Sequence, residues 1–277
     1  MTSPKAVAVV TGSNKGIGLQ IVKGLCQRFN GDVYLTARNA ELGKRAVQSL
    51  KAEGLDPKFH QLDITDITSI NRLRDHLQEH YGGLDILVNN AGIAFKKDTD
   101  SPFSEQARIT CGVNFFSQVD VCDALFPLLR PHARVVNMSS MAAQWSIVKC
   151  SSDIQARFKD ATITTLQLKA LVQEFIDAAQ TGDHVSQGWA DMAYGVSKIA
   201  MTILTFIQHR VLSQDSRPGI VINSCCPGYV QTDLTSNQGK KTPEQGADTP
   251  LYLSLLPPAT TTPNGEFVSD REIQKWG

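Results

Sequence analysis

The residues with the clearest chemical use are a tyrosine and a lysine four positions apart. Tyr194 and Lys198 open a long apolar segment typical of a helix, and this spacing places both side chains on one face. A phenol with a pKa of about 10 exchanges protons poorly at neutral pH, but a nearby ammonium group stabilises the phenolate and lowers that pKa. The pair therefore predicts general acid–base chemistry, although the same spacing is also common in solvated surface pairs.

A glycine-rich turn follows the first apolar run of the chain. Glycines at such a point allow a tight turn and let the backbone approach a pyrophosphate, whose charge suits the amino end of the next helix. A merely tight turn is the alternative interpretation. The predicted cofactor contacts in this turn are Gly12, Asn14, Lys15, Gly16, Ile17 and Gly18.

Arg38 ends the second apolar run, twenty residues after Gly18. A protein that binds NAD usually presents a carboxylate at this position to the ribose 2′-hydroxyl group. A cation there, with Lys15 nearby in the glycine turn, instead neutralises a 2′-phosphate. The sequence thus favours NADPH over NADH. A solvated charge at a helix start is the alternative.

Polar residues also follow two later apolar runs, Asp63-Ile64 after one and Asn90-Ala91-Gly92 after the other. In open parallel sheets the carboxyl ends of the strands line the ligand crevice. We expect Asp63 to accept a hydrogen bond from the adenine amine, and the second motif to make room for the adenosine ribose. A plain turn explains either motif alone.

The elements that must position these groups alternate along the chain. Helical stretches separate six short runs rich in β-branched residues, a pattern typical of a parallel sheet. We predict an α/β fold with a single doubly wound Rossmann-type domain over residues 1–277 and helices on both faces of the sheet. The predicted strands are residues 7–10, 33–36, 58–62, 86–89, 135–138 and 220–224.

Composition narrows the classes of partner. The 277 residues carry 27 Lys and Arg against 27 Asp and Glu, so no overall charge attracts nucleic acid or an anionic membrane. The apolar runs are too short to span a bilayer, and no secretion signal precedes the first strand, which together favour the cytoplasm. Six scattered cysteines predict neither a disulfide framework nor a metal site.

Several motifs occur together in one order: the glycine turn, Asn90-Ala91-Gly92, Asn114, Ser139-Ser140, Tyr194 with Lys198, and Pro227-Gly228. With this set the sequence resembles the short-chain dehydrogenase/reductase family over nearly its whole length. In strings such as residues 59–63 and 225–228 it is similar to the cytosolic NADPH-dependent carbonyl reductases of that family.

The resemblance implies roles for individual residues. Tyr194 would protonate the carbonyl oxygen as hydride arrives from the nicotinamide, and Ser140 would hold that oxygen. Lys198 would lower the tyrosine pKa and bond the nicotinamide ribose, while Asn114 would fix a water in the proton relay. Cofactor contacts after the sixth strand would come from Pro227, Gly228, Val230 and Thr232.

The substrate pocket is less defined, because Ser117 and Tyr229 depart from the glycine and tryptophan expected of the carbonyl reductases. Lysines near the rim are candidates for meeting anionic substrates, and a solvated loop is the alternative. For the apolar candidates the alternative is core packing. The predicted substrate contacts are Ser140, Met141, Trp145, Trp189, Tyr229, Phe95, Lys96, Lys97 and Gln106.

An insertion lies between Ser140 and Tyr194, at about residues 146–188. Its apolar residues, from Leu166 to Ile176, have helical spacing and predict an amphipathic helix with a loop on each side. The resemblance implies that the tyrosine-bearing helix is a dimer surface in most relatives. A helix docked over it would block that contact, so we expect a monomer.

The resemblance thus implies an NADPH-dependent reductase of ketones, aldehydes and quinones, with prostaglandin or steroid ketones as possible substrates. One alternative is a hydroxysteroid or prostaglandin dehydrogenase that works mainly in the oxidative direction, which Arg38 disfavours. The other is a regulatory module that binds NADPH without chemistry, which the intact set of Ser140, Tyr194 and Lys198 disfavours.

Overall fold

A computed structural model describes residues 5–96 and 98–276, and these form one eight-stranded sheet. Its order is β3-β2-β1-β4-β5-β6-β7-β8, parallel except for the final β7/β8 pair. The predicted α/β fold is confirmed. The strands are β1 (Val7–Val10), β2 (Asp32–Ala37), β3 (Lys58–Gln61), β4 (Leu84–Asn89), β5 (Leu129–Met138), β6 (Val221–Cys226), β7 (Phe267–Ser269) and β8 (Glu272–Ile273).

The helices begin and end where the local sequence favours it. Asp66 caps the third helix by accepting a hydrogen bond from the Thr68 amide, and Gly82, at φ 65°, ends that helix in the left-handed conformation. The helices are α1 (Gly16–Arg28), α2 (Ala40–Ala52), α3 (Ile67–Tyr81), α4 (Phe103–Cys111), α5 (Ser117–Leu125), α6 (Met141–Ile147), α7 (Ser152–Lys159), α8 (Thr165–Thr181), α9 (Ala193–Leu212), α10 (Pro243–Gly246) and α11 (Asp248–Ser254).

Alternation along the buried strands supplies a core on each face of the sheet. In β1, Ala8 and Val10 belong to the cluster shared with α1, α2 and α11, whereas Val7 and Val9 belong to the cluster shared with α3 and α5. A third cluster lies mainly between helices α4 to α9. The helices that carry the predicted reacting residues therefore pack on one another as well as on the sheet.

The insertion contains two helices. Helix α8 covers the predicted amphipathic segment, buries Leu168, Leu171 and Phe175, and packs against α4 and α9. A capping box at Thr164 starts it. The shorter helix α7 was not predicted, since its eight residues bury only Ile154 and Phe158 and show too few turns to establish a period.

Candidate active site

The glycine turn between β1 and α1 is held by close packing and side-chain hydrogen bonds. Gly12 and Gly16 have φ of 58° and 57°, the left-handed region that favours glycine. A Cβ atom on Gly12 would lie 2.9 Å from the Ala91 Cα atom. The Asn90 amide donates to the carbonyl oxygens of Thr11 (2.9 Å) and Gly12 (3.0 Å). Asn90 therefore fixes the turn.

The amino end of α1 suits an anionic group. Lys15 stands at its N-cap position with no side-chain capping hydrogen bond, and the first turn carries no acidic residue. Backbone N–H groups at an uncapped helix start are donors for phosphate, and the helix dipole adds favourable potential. Together with the glycine cradle, this end of the sheet fits a dinucleotide pyrophosphate.

The predicted adenosine contacts lie at the carboxyl ends of β2 and β3. Arg38 directly follows β2 and is exposed, and its carbonyl oxygen accepts a hydrogen bond from Gln61. The Asp63 carboxylate accepts from the backbone amide and hydroxyl group of Thr65, while Ile64 is buried. Lys15, across the turn, forms an ion pair with Asp233.

The first turns of α9 bring Tyr194 and Lys198 together. The Lys198 ammonium lies 5.6 Å from the centre of the Tyr194 ring and donates a 2.7 Å hydrogen bond to the carbonyl oxygen of Met138, at the end of β5. Its side chain is buried, whereas Tyr194 is half-buried at the cleft. Helix α9 and strand β5 thus fix the lysine on both sides.

Burial controls the proton affinities of this pair. It raises the pKa of the Tyr194 phenol to about 12, against the opposing effect of a hydrogen bond with Ser140. It also lowers the pKa of Lys198 to about 8, against the attraction of the Cys225 and Cys226 sulfurs. Desolvation is thus the largest influence on the tyrosine, and the lowering of its pKa by Lys198 stays a prediction. Tyr194 is a neutral phenol at physiological pH, which is the proton-donating form.

The two serines after β5 have different surroundings. Ser140 is the N-cap of α6, where its hydroxyl oxygen accepts from the Ala142 amide at 3.1 Å, and it is close enough to Tyr194 to lower the pKa of that phenol. Ser139 is buried and donates to the Lys198 carbonyl oxygen at 3.1 Å. Ser140 therefore faces the reacting tyrosine, and Ser139 ties β5 to α9.

Asn114 lies in a π-helical turn, Gly112–Phe116, between α4 and α5. Its amide both accepts from and donates to the backbone of Ile93, each at 2.8 Å, and donates to Ser197 at 3.1 Å. A Cβ atom on Gly92 would lie 3.1 Å from the Asn114 Oδ1 atom and 3.7 Å from Lys198 Nζ. The widened turn therefore places Asn114 beside the lysine, and such turns often occur at functional sites.

The loop after β6 packs over the glycine turn. Gly228 has a φ of 85°, and Pro227 and Gly228 are half-buried, whereas Val230 is fully buried. Thr232 lies beside the turn, since a Cβ atom on Gly16 would be 3.4 Å from its methyl group. All four predicted contacts therefore belong to a loop that borders the proposed cofactor cleft.

The predicted substrate residues are divided between surface and core. Trp145 and Tyr229 are 62% and 49% exposed, Met141 follows Ser140 directly and is half-buried, and Lys96 is exposed. Phe95 and Gln106 are also half-buried, and the Gln106 amide donates to the Ser101 carbonyl oxygen. Lys97 lies outside the described residues.

Trp189 is part of the core. It is 4% exposed and packs between Phe158 and Phe175, with ring centroids 6.1 and 5.4 Å away. The insertion therefore uses this tryptophan to attach α7 and α8 to each other. Core packing, the alternative left open for Trp189, is its observed environment.

Supporting residues that the sequence did not single out complete the site. The Thr11 hydroxyl oxygen accepts from the amides of Asn90 and Ala91, and Gln118 donates to the Ala91 carbonyl oxygen at 2.6 Å. Ser197 links Asn114 to the Tyr194 carbonyl oxygen. Thr11 adjoins the glycine turn and Ser197 lies between Tyr194 and Lys198, so their positions in the sequence could have indicated a role in the site. Gln118 offers no such indication.

Residues 5–96 and 98–276 lack two kinds of feature. No helix in that part of the chain has the length and apolar character needed to cross a membrane. The same residues contain no group of three or more His, Cys, Asp or Glu arranged to hold a metal ion.

Known proteins similar to this chain share both its sequence and its fold. The bovine and human proteins named "Carbonyl reductase [NADPH] 1" are 51% and 50% identical to it, each over the full length of both chains. Salutaridine reductase from Papaver somniferum has a similar structure, with a TM-score of 0.85 at 29% identity over 96% of this chain and 100% of that one. Residues 6–152 match the family described as short chain dehydrogenase. The resemblance seen in the sequence is thus confirmed, and the chain belongs to the short-chain dehydrogenase/reductase family.

Proposed function

We propose that this protein catalyses the NADPH-dependent reduction of ketones, aldehydes and quinones to alcohols and hydroquinones. The observation that carries the proposal is the convergence of Tyr194, Ser140 and Lys198 at the strand ends that also hold the glycine turn. Relatives about half identical over their full length carry the name carbonyl reductase [NADPH], which supports the same chemistry and cofactor.

When bound, NADPH supplies the hydride that adds to the carbonyl carbon. The electron pair of the carbonyl bond then moves to oxygen, where negative charge develops. Hydroxyl groups of Ser140 and Tyr194 are hydrogen-bond donors for that oxygen, and donors placed in advance stabilise the charge as it forms. The Tyr194 proton transfers to the oxygen and completes the alcohol. Its raised pKa keeps this proton in place until hydride addition makes the oxygen basic.

Lys198 and Asn114 support the proton transfer. The lysine ammonium stabilises the phenolate that Tyr194 becomes, and it is held for this role by the Met138 carbonyl oxygen. Asn114, joined to Ser197 and Ile93, keeps the surrounding turn in position for the water-mediated return of a proton.

Each predicted cofactor contact is assigned to one part of the cleft. The helix start at Gly16, Ile17 and Gly18 suits the pyrophosphate, while Lys15 and Arg38 suit the 2′-phosphate that distinguishes NADPH from NADH. Asp63 and Ile64 border the adenine end. Asn14, Gly12 and the Asn90-Ala91-Gly92 motif shape the middle of the cleft, and Pro227, Gly228, Val230 and Thr232 cover it.

The substrate contacts are the exposed or half-buried residues near Ser140. Met141, Trp145 and Tyr229 form apolar walls, with Phe95, Lys96 and Gln106 on the opposite rim. Such a mouth accommodates bulky apolar carbonyl compounds, and prostaglandin and steroid ketones belong to that class. We further propose that the enzyme works as a monomer in the cytosol.

A turnover assay tests the proposal. Purified protein mixed with NADPH and menadione or an aromatic aldehyde should oxidise NADPH, followed by absorbance at the nicotinamide band. Tyr194→Phe should abolish turnover and still bind NADPH, whereas Tyr252→Phe, in helix α11, serves as the matched control and should retain it. Absence of turnover across quinones, ketones and aldehydes would refute the proposal.

A further inference from the structure

Asp233 joins two loops that border the cofactor cleft. It begins a short 3₁₀ turn, Asp233–Thr235, in the loop after β6, and its carboxylate lies 2.5 Å from the ammonium of Lys15 at the start of α1. These residues are 218 positions apart in the chain. The contact is therefore a property of the fold that no local motif reveals.

The position of this carboxylate is set by its neighbours. Thr232 and Thr235 form reciprocal hydrogen bonds that shape the turn, and the Thr232 methyl group faces Gly16. Asp233 consequently lies next to the uncapped amino end of α1, where the cofactor phosphates are proposed to bind. The carboxylate is thus placed to hold the Lys15 ammonium, which is proposed to bind the 2′-phosphate.

The ion pair between Lys15 and Asp233 can be broken with little loss of folding stability. Both side chains are more than two-thirds exposed, at 68% and 69%, and an ion pair in such surroundings contributes little to folding stability. Its electrostatic effect is still evident. The Lys15 ammonium, aided by Lys96 on the loop after β4, holds the pKa of the Asp233 carboxyl group below its usual range. The carboxylate is therefore charged at physiological pH and is attracted by lysines of two different loops.

We propose that Asp233 is an internal competitor for Lys15 that limits the affinity of the protein for NADPH. The inference rests on the proposed role of Lys15 in recognising the 2′-phosphate. When that phosphate binds, Lys15 must exchange the Asp233 carboxylate for it, and the carboxylate repels the incoming dianion. NADH lacks the phosphate, so its binding does not require the exchange. Asp233 is thus a specificity-determining residue that reduces the preference for NADPH and favours release of NADP⁺.

Cofactor binding measured by fluorescence titration tests this role. Asp233→Asn should tighten NADPH binding about fivefold and change NADH binding by less than about twofold. The matched control is Glu174→Gln, which removes the acidic partner of an exposed ion pair with Arg157 in the insertion and should leave both affinities unchanged. Thermal unfolding of each variant confirms that the fold is retained.

Two outcomes overturn the inference: weaker or unchanged NADPH binding by Asp233→Asn, or an equal gain for both cofactors. Lys15→Ala separates this failure from failure of the proposed function. If Lys15→Ala lowers the NADPH preference and Asp233→Asn does not raise it, Lys15 reads the phosphate and Asp233 does not compete. If Lys15→Ala leaves the preference unchanged, the role of Lys15 itself is rejected, and the inference with it.

Discussion

At the scale of single residues, the active site combines a tyrosine whose pKa is raised with a lysine whose pKa is lowered. Both shifts come from burial, which disfavours a phenolate and an ammonium alike. The sequence pattern correctly paired Tyr194 with Lys198. It could not give the direction of the tyrosine shift, because desolvation depends on the surrounding helices rather than on the spacing of two residues.

The pKa of Lys198 predicts how activity depends on pH. Below about pH 8 the lysine is charged and stabilises the phenolate formed as Tyr194 donates its proton. As pH rises through this value the cation is lost, while the tyrosine remains protonated. We expect kcat/KM for carbonyl reduction to fall above about pH 8, with NADPH affinity measured at each pH as the control. A flat profile up to pH 10 would contradict this role.

The same shift predicts that Lys198 destabilises the fold. Its pKa falls from 10.5 to about 8, so the unfolded chain binds the proton more tightly than the folded one. The penalty is complete below pH 8 and disappears as pH rises through 10.5. Lys198→Met should therefore raise the free energy of unfolding by about 1–3 kcal/mol at pH 7, while abolishing turnover.

Urea unfolding at two pH values measures how much the buried charge of Lys198 destabilises the fold. The stabilisation by Lys198→Met should shrink between pH 7 and pH 10, because the wild-type lysine is neutral in the folded protein at the higher pH. Lys44→Met, on helix α2, provides a control at an exposed surface lysine. A gain of equal size at both pH values would show that packing, rather than charge burial, causes it.

At the scale of elements, the reacting groups are placed by the contact between α6 and α9. A Cβ atom on Gly195 would lie 2.7 Å from the Ser146 Cβ atom and 3.3 Å from the Ala142 carbonyl oxygen. The missing side chain thus lets the helix capped by Ser140 approach the helix that carries Tyr194. Close helix contact, rather than a direct bond alone, sets the separation of the two hydroxyl groups.

Enlarging Gly195 should therefore damage catalysis. Gly195→Ala is expected to lower kcat by about tenfold or more, since a displacement of about 1 Å in a reacting group costs rate steeply. Adding Ser146→Gly removes the two nearest opposing atoms, the Ser146 Cβ and Oγ, and should restore most of the loss. Failure of this second substitution to rescue kcat, with both proteins folded and binding NADPH, would argue against the helix contact as the cause.

Two tryptophans at the borders of the insertion, Trp145 and Trp189, form a matched pair. Trp189→Ala empties a core position between Phe158 and Phe175 and should lower the free energy of unfolding by about 3–5 kcal/mol. Trp145→Ala, at an exposed position, should change stability by less than about 0.5 kcal/mol and instead raise KM for bulky substrates. Chemical denaturation and substrate kinetics separate the two effects. The reverse pattern would contradict these placements.

Most of the fold could be predicted from these elements, and the exceptions have physical reasons. The six predicted strands are present. Strands β2, β4 and β5 are longer than expected, β3 ends one residue earlier, and β6 begins one residue later and ends two residues later. Strands β7 and β8 have three and two residues, too few to show a period of two. Tryptophan occurs both in the walls of binding pockets and in protein cores, so the sequence alone could not decide between these two environments for Trp189. Contacts between distant segments, such as Lys15 with Asp233, follow only from the folded chain.

At the scale of the whole molecule, the neutral overall charge conceals a local asymmetry. Lys15, Arg38 and Lys198 lie along the carboxyl edge of the sheet, where an anionic dinucleotide is proposed to bind. The same arrangement explains how a protein with equal numbers of acidic and basic residues attracts a highly charged cofactor. Charge placement, not net charge, decides this recognition.

The insertion also bears on the proposed monomer. Helix α8 packs on α4 and α9 and buries apolar surface that would otherwise face solvent or a second subunit. We therefore expect light scattering at micromolar concentration to give a mass near 30.3 kDa. A stable dimer mass would contradict the proposed monomer and direct attention to a different face of the molecule.

Transfer of hydride from NADPH to a carbonyl carbon, followed by protonation from Tyr194, is the central claim. Its most direct test is a single-turnover reaction with NADPH in which the nicotinamide hydrogen that is transferred as hydride is replaced by deuterium. Mass spectrometry should find one deuterium on the former carbonyl carbon of the alcohol made by the wild-type protein, and no alcohol from Tyr194→Phe at equal NADPH occupancy. Alcohol without deuterium from cofactors labelled at either hydrogen, or undiminished turnover by Tyr194→Phe, would contradict it.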